Sequence, residues 1–171
     1  LSDIAVRAVR AMRAGETEAL ADVWIAAWKS VPVAVDFDAR RGWFVARLEA
    51  LARAGVDVLV SHGDGGQAVG FVTIERATGA LDQLCVAPRH FGDGTARLLL
   101  DAAKGASPGR IALDVNADNA RALAFYRREG FVETGASVNP LSGLPTLAME
   151  WSDPSSGRLR RPPSRARGEG K

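Results

Sequence analysis

The chain has 171 residues, 47% hydrophobic and 25% charged, which fits one globular domain with a buried core and excludes a chain disordered throughout. No run of 18 apolar residues occurs and the first residues form no basic, apolar leader, so neither a membrane span nor a secretory signal is expected. The single cysteine, Cys85, excludes an internal disulfide and fits a cytoplasmic location; with only two histidines beside it, no standard structural zinc site and no metal is expected.

The net charge of +2 is uneven. Residues 152–171 hold six basic and two acidic side chains, leaving 16 basic and 18 acidic in residues 1–151. That tail is rich in Pro, Ser, Gly and Arg, has Leu159 and Ala166 as its only apolar residues, and reads as a disordered appendix to a single domain over 1–151. It could serve as a nucleic-acid arm, but it lacks aromatic residues for base stacking, so no nucleic-acid partner is expected.

In chain order, residues 6–9 read as a first strand. Leu20, Val23, Trp24, Ala27 and Trp28 form one stripe of an amphipathic helix that Pro32 ends. Asp38 is placed to cap a second helix, with Phe44, Leu48 and Leu51 on one face and Gly55 at its end. Val56, Val58 and Val60 alternate as a strand, a polar turn covers residues 62–67, and residues 69–74 return antiparallel. A turn at Thr78 and Gly79 leads to a third strand over 81–86.

The pattern then changes. Ala96, Leu99, Leu100 and Ala103 mark a helix, Ile111, Leu113 and Val115 a strand, and Asp118 opens a helix running to Glu129 with Gly130 as its stop. Strands over 131–134 and around Leu147, Met149 and Trp151 close the domain. The order β-α-α-β-β-β-α-β-α-β-β gives an α/β fold: a mixed, mostly antiparallel central sheet of about seven strands flanked by about four helices.

Residues 84–96 join a strand to a helix through Gly92 and Gly94. Glycine permits unusual backbone angles, and the helix N-terminus offers free N–H groups to a phosphate. A Walker loop needs a Gly-Lys-Ser/Thr string that is absent. A dinucleotide fingerprint needs a third glycine where Arg97 stands, in the first unit of a parallel sheet. Nucleoside triphosphates and NAD are therefore disfavoured.

The pattern Leu84-x-Val86-x-Pro88 followed by Gly92-x-Gly94-x-Ala96 resembles the acyl-CoA loop of the GNAT superfamily of N-acetyltransferases. Residues 116–131, with Asn119, Ala122, Phe125-Tyr126 and Gly130-Phe131, are similar to that family's Asn-x-x-Ala-x-x-Phe-Tyr-x-x-x-Gly-Phe block. Arg7-x-x-Arg10-Ala11 and the helix after it also resemble the family's opening. Two positions depart from the pattern: Phe91 stands where Gln or Arg is usual, and Thr95 where an aliphatic residue is usual. Asp93 adds a negative charge that Arg89 and Arg97 are placed to offset.

The resemblance implies an enzyme that moves the acetyl group of acetyl-CoA, its co-substrate, to a primary amine by direct attack in a ternary complex. It places the cofactor along Leu84, Cys85 and Val86, at Phe91, Gly92, Asp93, Gly94, Thr95 and Ala96, and beside Asn119 and Ala122. It implies Tyr126 as general acid. Asn119 and Tyr126 are seven residues apart, about 10.5 Å along a helix axis, a span that an extended ligand could bridge. Asp82 is the first candidate for the general base and Glu75 the second; Asp82 could equally be a surface carboxylate. Trp24 and Trp28, with Trp43 nearby, would wall the acceptor side or pack in the core. Cys85 reads as an inert strand residue, and His62 and His90 as turn residues. The acceptor expected is a small-molecule amine, ahead of a peptide or protein amine. A homodimer through the last strands is left open. Two other readings are a non-catalytic acyl-CoA-binding module and a nucleic-acid-associated protein acting through the Arg-rich tail.

Overall fold

A computed structural model describes residues 8–31, 34–140 and 142–156. The expected Val6, Arg7, Pro32 and the tail from residue 157 lie outside the described residues. The Val56–Val58–Val60 alternation becomes a hairpin of β2 (Asp57–His62) and β3 (Ala68–Ile74), preceded by a short β1 (Val9–Ala11). Val58, Val60, Val69, Phe71, Val72 and Ile74 are all buried, because a strand covered on both faces hides both side-chain sets. β4 is short, Leu84–Val86, and completes a four-stranded antiparallel sheet in the order β1-β2-β3-β4.

The remaining strands are β5 (Arg110–Asn116), β6 (Val132–Val138) and β7 (Pro145–Ser152), an antiparallel sheet in the order β5-β7-β6. The seven expected strands are thus present, divided into sheets of four and three. One parallel bridge, Ala80 to Ala112, joins them, with Leu81 N–H donating to Ala112 O and Ala112 N–H to Gly79 O, both at 3.0 Å.

Beyond the bridge β4 leaves β5 for a local reason. Glu75 N–H donates to Ala80 O, whereas Thr73 N–H donates to Gln83 O. The two bonds are out of register by one residue, so the segment before β4 carries an extra residue and the strand is re-aimed, as at a β-bulge. The expected strand over 81–86 is shortened for this reason.

Helices cover both faces. α1 (Thr17–Lys29) and α2 (Arg41–Arg53) put Leu20, Trp24, Phe44 and Leu48 against Val60 and Phe71. On the other face α3 (Thr95–Ala106) and α4 (Ala120–Arg128) put Leu99, Leu100, Ala103, Leu123 and Tyr126 against Val72, Leu113, Val115 and Met149. Each fully buried Leu or Phe contributes about 1.5–3 kcal/mol.

Several boundaries differ from expectation. Asp38 pairs with Lys29 and does not cap α2, which starts at Arg41 with no side-chain cap; Asp36 accepts from Ala39 N–H instead. α4 starts at Ala120, because Asn119 is itself the N-cap and accepts from Ala122 N–H at 3.1 Å. His62 belongs to β2, where it meets Glu16 and Arg10. β6 extends to Val138, and Phe131 packs in the core just before it.

Candidate active site

The parting of β4 and β5 opens a cleft of about 1150 Å³ between the two sheets. Its walls include Leu84, Cys85 and Val86 on one side and Leu113 to Asn116 on the other. The facing edges of β4 and β5 are not paired with each other, so their backbone groups are available to a third partner.

At one end lies the turn over residues 88–94 and the first turn of α3. Gly92 and Gly94 have φ of +78° and +90°, angles that a side chain resists. A Cβ at either would meet nothing within 4 Å, so their backbone faces open space where a ligand can approach. The Asp93 carboxylate is turned inward: it accepts from Thr95 N–H at 3.0 Å and Thr95 Oγ1 at 2.7 Å, and contacts His90 Nδ1 at 2.7 Å. The acid thus organises the turn. Thr95 is buried, with its methyl group beside Gly70 of β3. Phe91 lies under Arg121 of α4, with the guanidinium carbon 3.5 Å from the ring centre, a cation–π contact across the cleft end.

Asn119 and Tyr126 both line the cleft, as do Phe91, Gly92, Gly94, Ala96 and Ala122. Tyr126 is 7% exposed, held by edge contacts to Phe125 and Phe131 at 5.2 and 5.3 Å. Burial, with nearby Cys85 as the lesser cause, raises the Tyr126 pKa well above its ordinary value. The phenol stays protonated, and its hydroxyl has no hydrogen-bond partner among the described residues. It is a donor facing the cleft. Burial, then Asp82, pushes the Cys85 thiol up to about 12, which keeps it un-ionised and unsuited to nucleophilic attack.

Asp82 also lines the cleft, but both its oxygens are taken by Arg47 of α2, through Nε at 2.9 Å and Nη2 at 2.5 Å. Glu75 accepts from Thr78 Oγ1 and does not line the cleft. Trp24 is 4% exposed, stacks on Phe44 at 4.6 Å and lies in the core away from the cleft. Trp28 and Trp43 line it.

Arg47 and Asp114 are two charged residues among those of the cleft that the sequence reading did not single out. Arg47 offers no sequence signal, since a basic residue on an exposed helix face is commonplace. Asp114 had one: Ile111, Leu113 and Val115 face the core, so strand alternation puts Asp114 on the opposite face. It is exposed, lines the cleft and has no ion pair among the described residues.

Among the described residues no cluster of three His, Cys, Asp or Glu could hold a metal, and no helix is long and apolar enough to cross a membrane.

Comparisons with known proteins agree with this geometry. Apo-form YjaB from Escherichia coli is 27% identical, with a TM-score of 0.65, covering 86% of this chain and 99% of that one. A ribosomal-protein-alanine N-acetyltransferase from Brucella melitensis shares the fold at 23% identity and a TM-score of 0.62, covering 85% of this chain and 99% of that one. The yncA protein of Salmonella typhimurium, solved with its cofactor acetyl-CoA, does so at 20% identity and a TM-score of 0.61, over 95% and 99% of the two chains. No curated protein matches the sequence. The acetyltransferase (GNAT) domain matches residues 44–152, more than half of the chain and all of the cleft's β-strands, and the chain therefore belongs to the GNAT acetyltransferase family.

Proposed function

We propose that the protein transfers an acetyl group from acetyl-CoA to a primary amine by direct attack within a ternary complex. The observation that carries this reading is the convergence on one cleft of an open strand edge, a glycine turn at a helix N-terminus and a buried, protonated Tyr126. The free N–H groups of the first turn of α3 suit a pyrophosphate. The β4 edge suits an extended amide chain, and Asn119, whose oxygen caps α4, keeps its amide N–H groups for the same chain. The bound cofactor supplies a thioester carbonyl as acyl donor.

The chain's own groups handle the protons. Asp114 takes a proton from the incoming ammonium in this reading, ahead of Asp82, because it lines the cleft and Arg47 occupies both Asp82 oxygens. As the amine nitrogen bonds to the carbonyl carbon and the C–S bond breaks, Tyr126 gives its proton to the leaving sulfur; the nitrogen gives up its second proton to water, from which Tyr126 is reprotonated, so that the amide and the free thiol leave neutral. In the same reading a backbone N–H of the open β4 edge polarises the carbonyl, since β4 is unpaired on its β5 side. Trp28 and Trp43 wall the acceptor side. A cytoplasmic location accords with the free, un-ionised Cys85.

Calorimetric titration with acetyl-CoA, followed by CoA release across an amine panel, tests the reading. Asn119→Asp preserves the cap acceptor while removing the amide donors, and should weaken binding at least tenfold. Absence of wild-type binding would overturn the proposal.

A further inference from the structure

Arg47 lies at the acceptor side of the cleft, between Asp82 and the ring of Trp43. A guanidinium presents two forked edges, Nε with Nη2 and Nη1 with Nη2. Asp82 takes the first edge, at 2.9 and 2.5 Å. The second edge donates to no described residue. The Trp43 ring, 5.8 Å from the guanidinium carbon, backs the group, and the Arg47 side chain keeps 40% exposure. The result is a guanidinium held in orientation by Asp82 and Trp43 at the cleft wall, with one fork unpaired among the described residues. A fixed fork matches the two oxygens of a carboxylate, and little side-chain entropy remains to be lost on binding.

The far side of the same region carries the opposite charge. Asp82 and Asp114 each lie two residues past the Ala80–Ala112 bridge, on the face opposite Leu81 and Leu113. Asp82 is neutralised by Arg47, and Asp114 has no ion pair among the described residues. The acceptor side therefore offers one cationic fork and one carboxylate, Asp114, neither paired among the described residues, with Trp28 and Trp43 beside them. A purely cationic amine would leave the fork empty, whereas a molecule with both ammonium and carboxylate fills both places.

We infer that the acceptor is an amine that also carries a carboxylate, an amino-acid-like zwitterion whose carboxylate docks on the free edge of Arg47 while its ammonium faces Asp114; this rests on the acetyltransferase reading above. Asp82 is then a positioning residue that holds Arg47 flat.

The test is CoA release with matched amine pairs: L-phenylalanine, L-tryptophan, L-methionine and L-glutamate, each against its α-carboxamide. The free acids should show kcat/KM at least tenfold above their amides, with the difference in KM. In Arg47→Gln the acid-to-amide ratio should fall to near one, and in Arg47→Lys, which keeps the charge without the fork, it should lie between. The ratio is read within each variant, so any loss of folded protein cancels. Asp82→Asn should raise KM for the acids with little change in kcat. Turnover of amides equal to or better than acids overturns the inference and leaves the acetyltransferase reading standing, as does an Arg47→Gln ratio equal to that of wild type. Acetyl-CoA binding with turnover of neither set also overturns the inference. Absence of acetyl-CoA binding overturns the acetyltransferase reading with it.

Discussion

Asp82 and Asp114 sit at matching positions on adjacent segments, each two residues beyond the bridge that joins the sheets, yet only Asp82 is clamped by a guanidinium. The two carboxylates should therefore behave differently when removed. Asp114→Asn should lower kcat by about 10²–10⁴-fold, the range for loss of a general base. Asp82→Asn should act mainly on KM. Equal kcat losses in the two variants, read by steady-state CoA release, would overturn the assignment.

Tyr126→Phe removes a hydroxyl without changing the packing against Phe125 and Phe131. Its thermal midpoint should stay close to wild type while kcat falls by about 10²-fold or more. Burial holds the phenol protonated beyond its ordinary range, so the wild-type rate should show no alkaline fall from this group below about pH 10. A descending limb that disappears in Tyr126→Phe would contradict this.

Glu16 ties the start of α1 to β1 and β2. Arg10 foremost, with Arg13 N–H and His62 contributing, lowers its pKa from 4.5 to about 2. A depressed folded-state pKa gives stability that is present above the unfolded value and lost as pH falls through the folded one. Stability should therefore decline from about pH 4.5 towards 2, and Glu16→Gln should flatten that decline. Thermal midpoints of both proteins across this range are the measurement.

Cys85→Ala should keep turnover within about threefold of wild type, since direct attack uses no thiol intermediate. Iodoacetamide at pH 8 should leave the native thiol unmodified, read by intact mass, because burial holds it protonated. An alkylated, inactivated enzyme would argue for a covalent route.

Among the described glycines, Gly79 leaves the least room for a side chain. Its φ is +78°, and a Cβ there would lie 2.1 Å from Arg110 O. Left-handed backbone costs about 1–2 kcal/mol for an alanine, and the backbone collision adds to it. Gly79→Ala should destabilise by at least about 2 kcal/mol in denaturant melts. A change below half of that would mean the two segments separate easily.

The element order was readable because hydrophobic periodicity and glycine stops are local signals: α1, α2 and α3 bury the stripes marked by Trp24, Phe44 and Leu99. The split of the sheet was not readable. It depends on a one-residue slip between Thr73–Gln83 and Glu75–Ala80 pairings, and no periodicity in residues 80–86 announces it. The glycine turn, Asn119 and Tyr126 were legible because each sits in a short, ordered string. Trp24 and Trp28 share a helical stripe, and only tertiary packing separates the buried ring from the one on the cleft. Arg47 and Asp82 lie 35 residues apart, and their pairing is a product of the fold alone.

The Ala80–Ala112 bridge, the one strand bridge between the sheets among the described residues, also bears on abundance in the cell. With so little backbone pairing between the halves, a ligand that bonds to both open edges adds cohesion that the polypeptide does not provide. Such linkage is worth about 2.7 kcal/mol when the ligand stands at a hundred times its dissociation constant. The fraction of molecules escaping proteolysis should then track the supply of cofactor, rising in well-fed cells and falling when the acyl donor runs short.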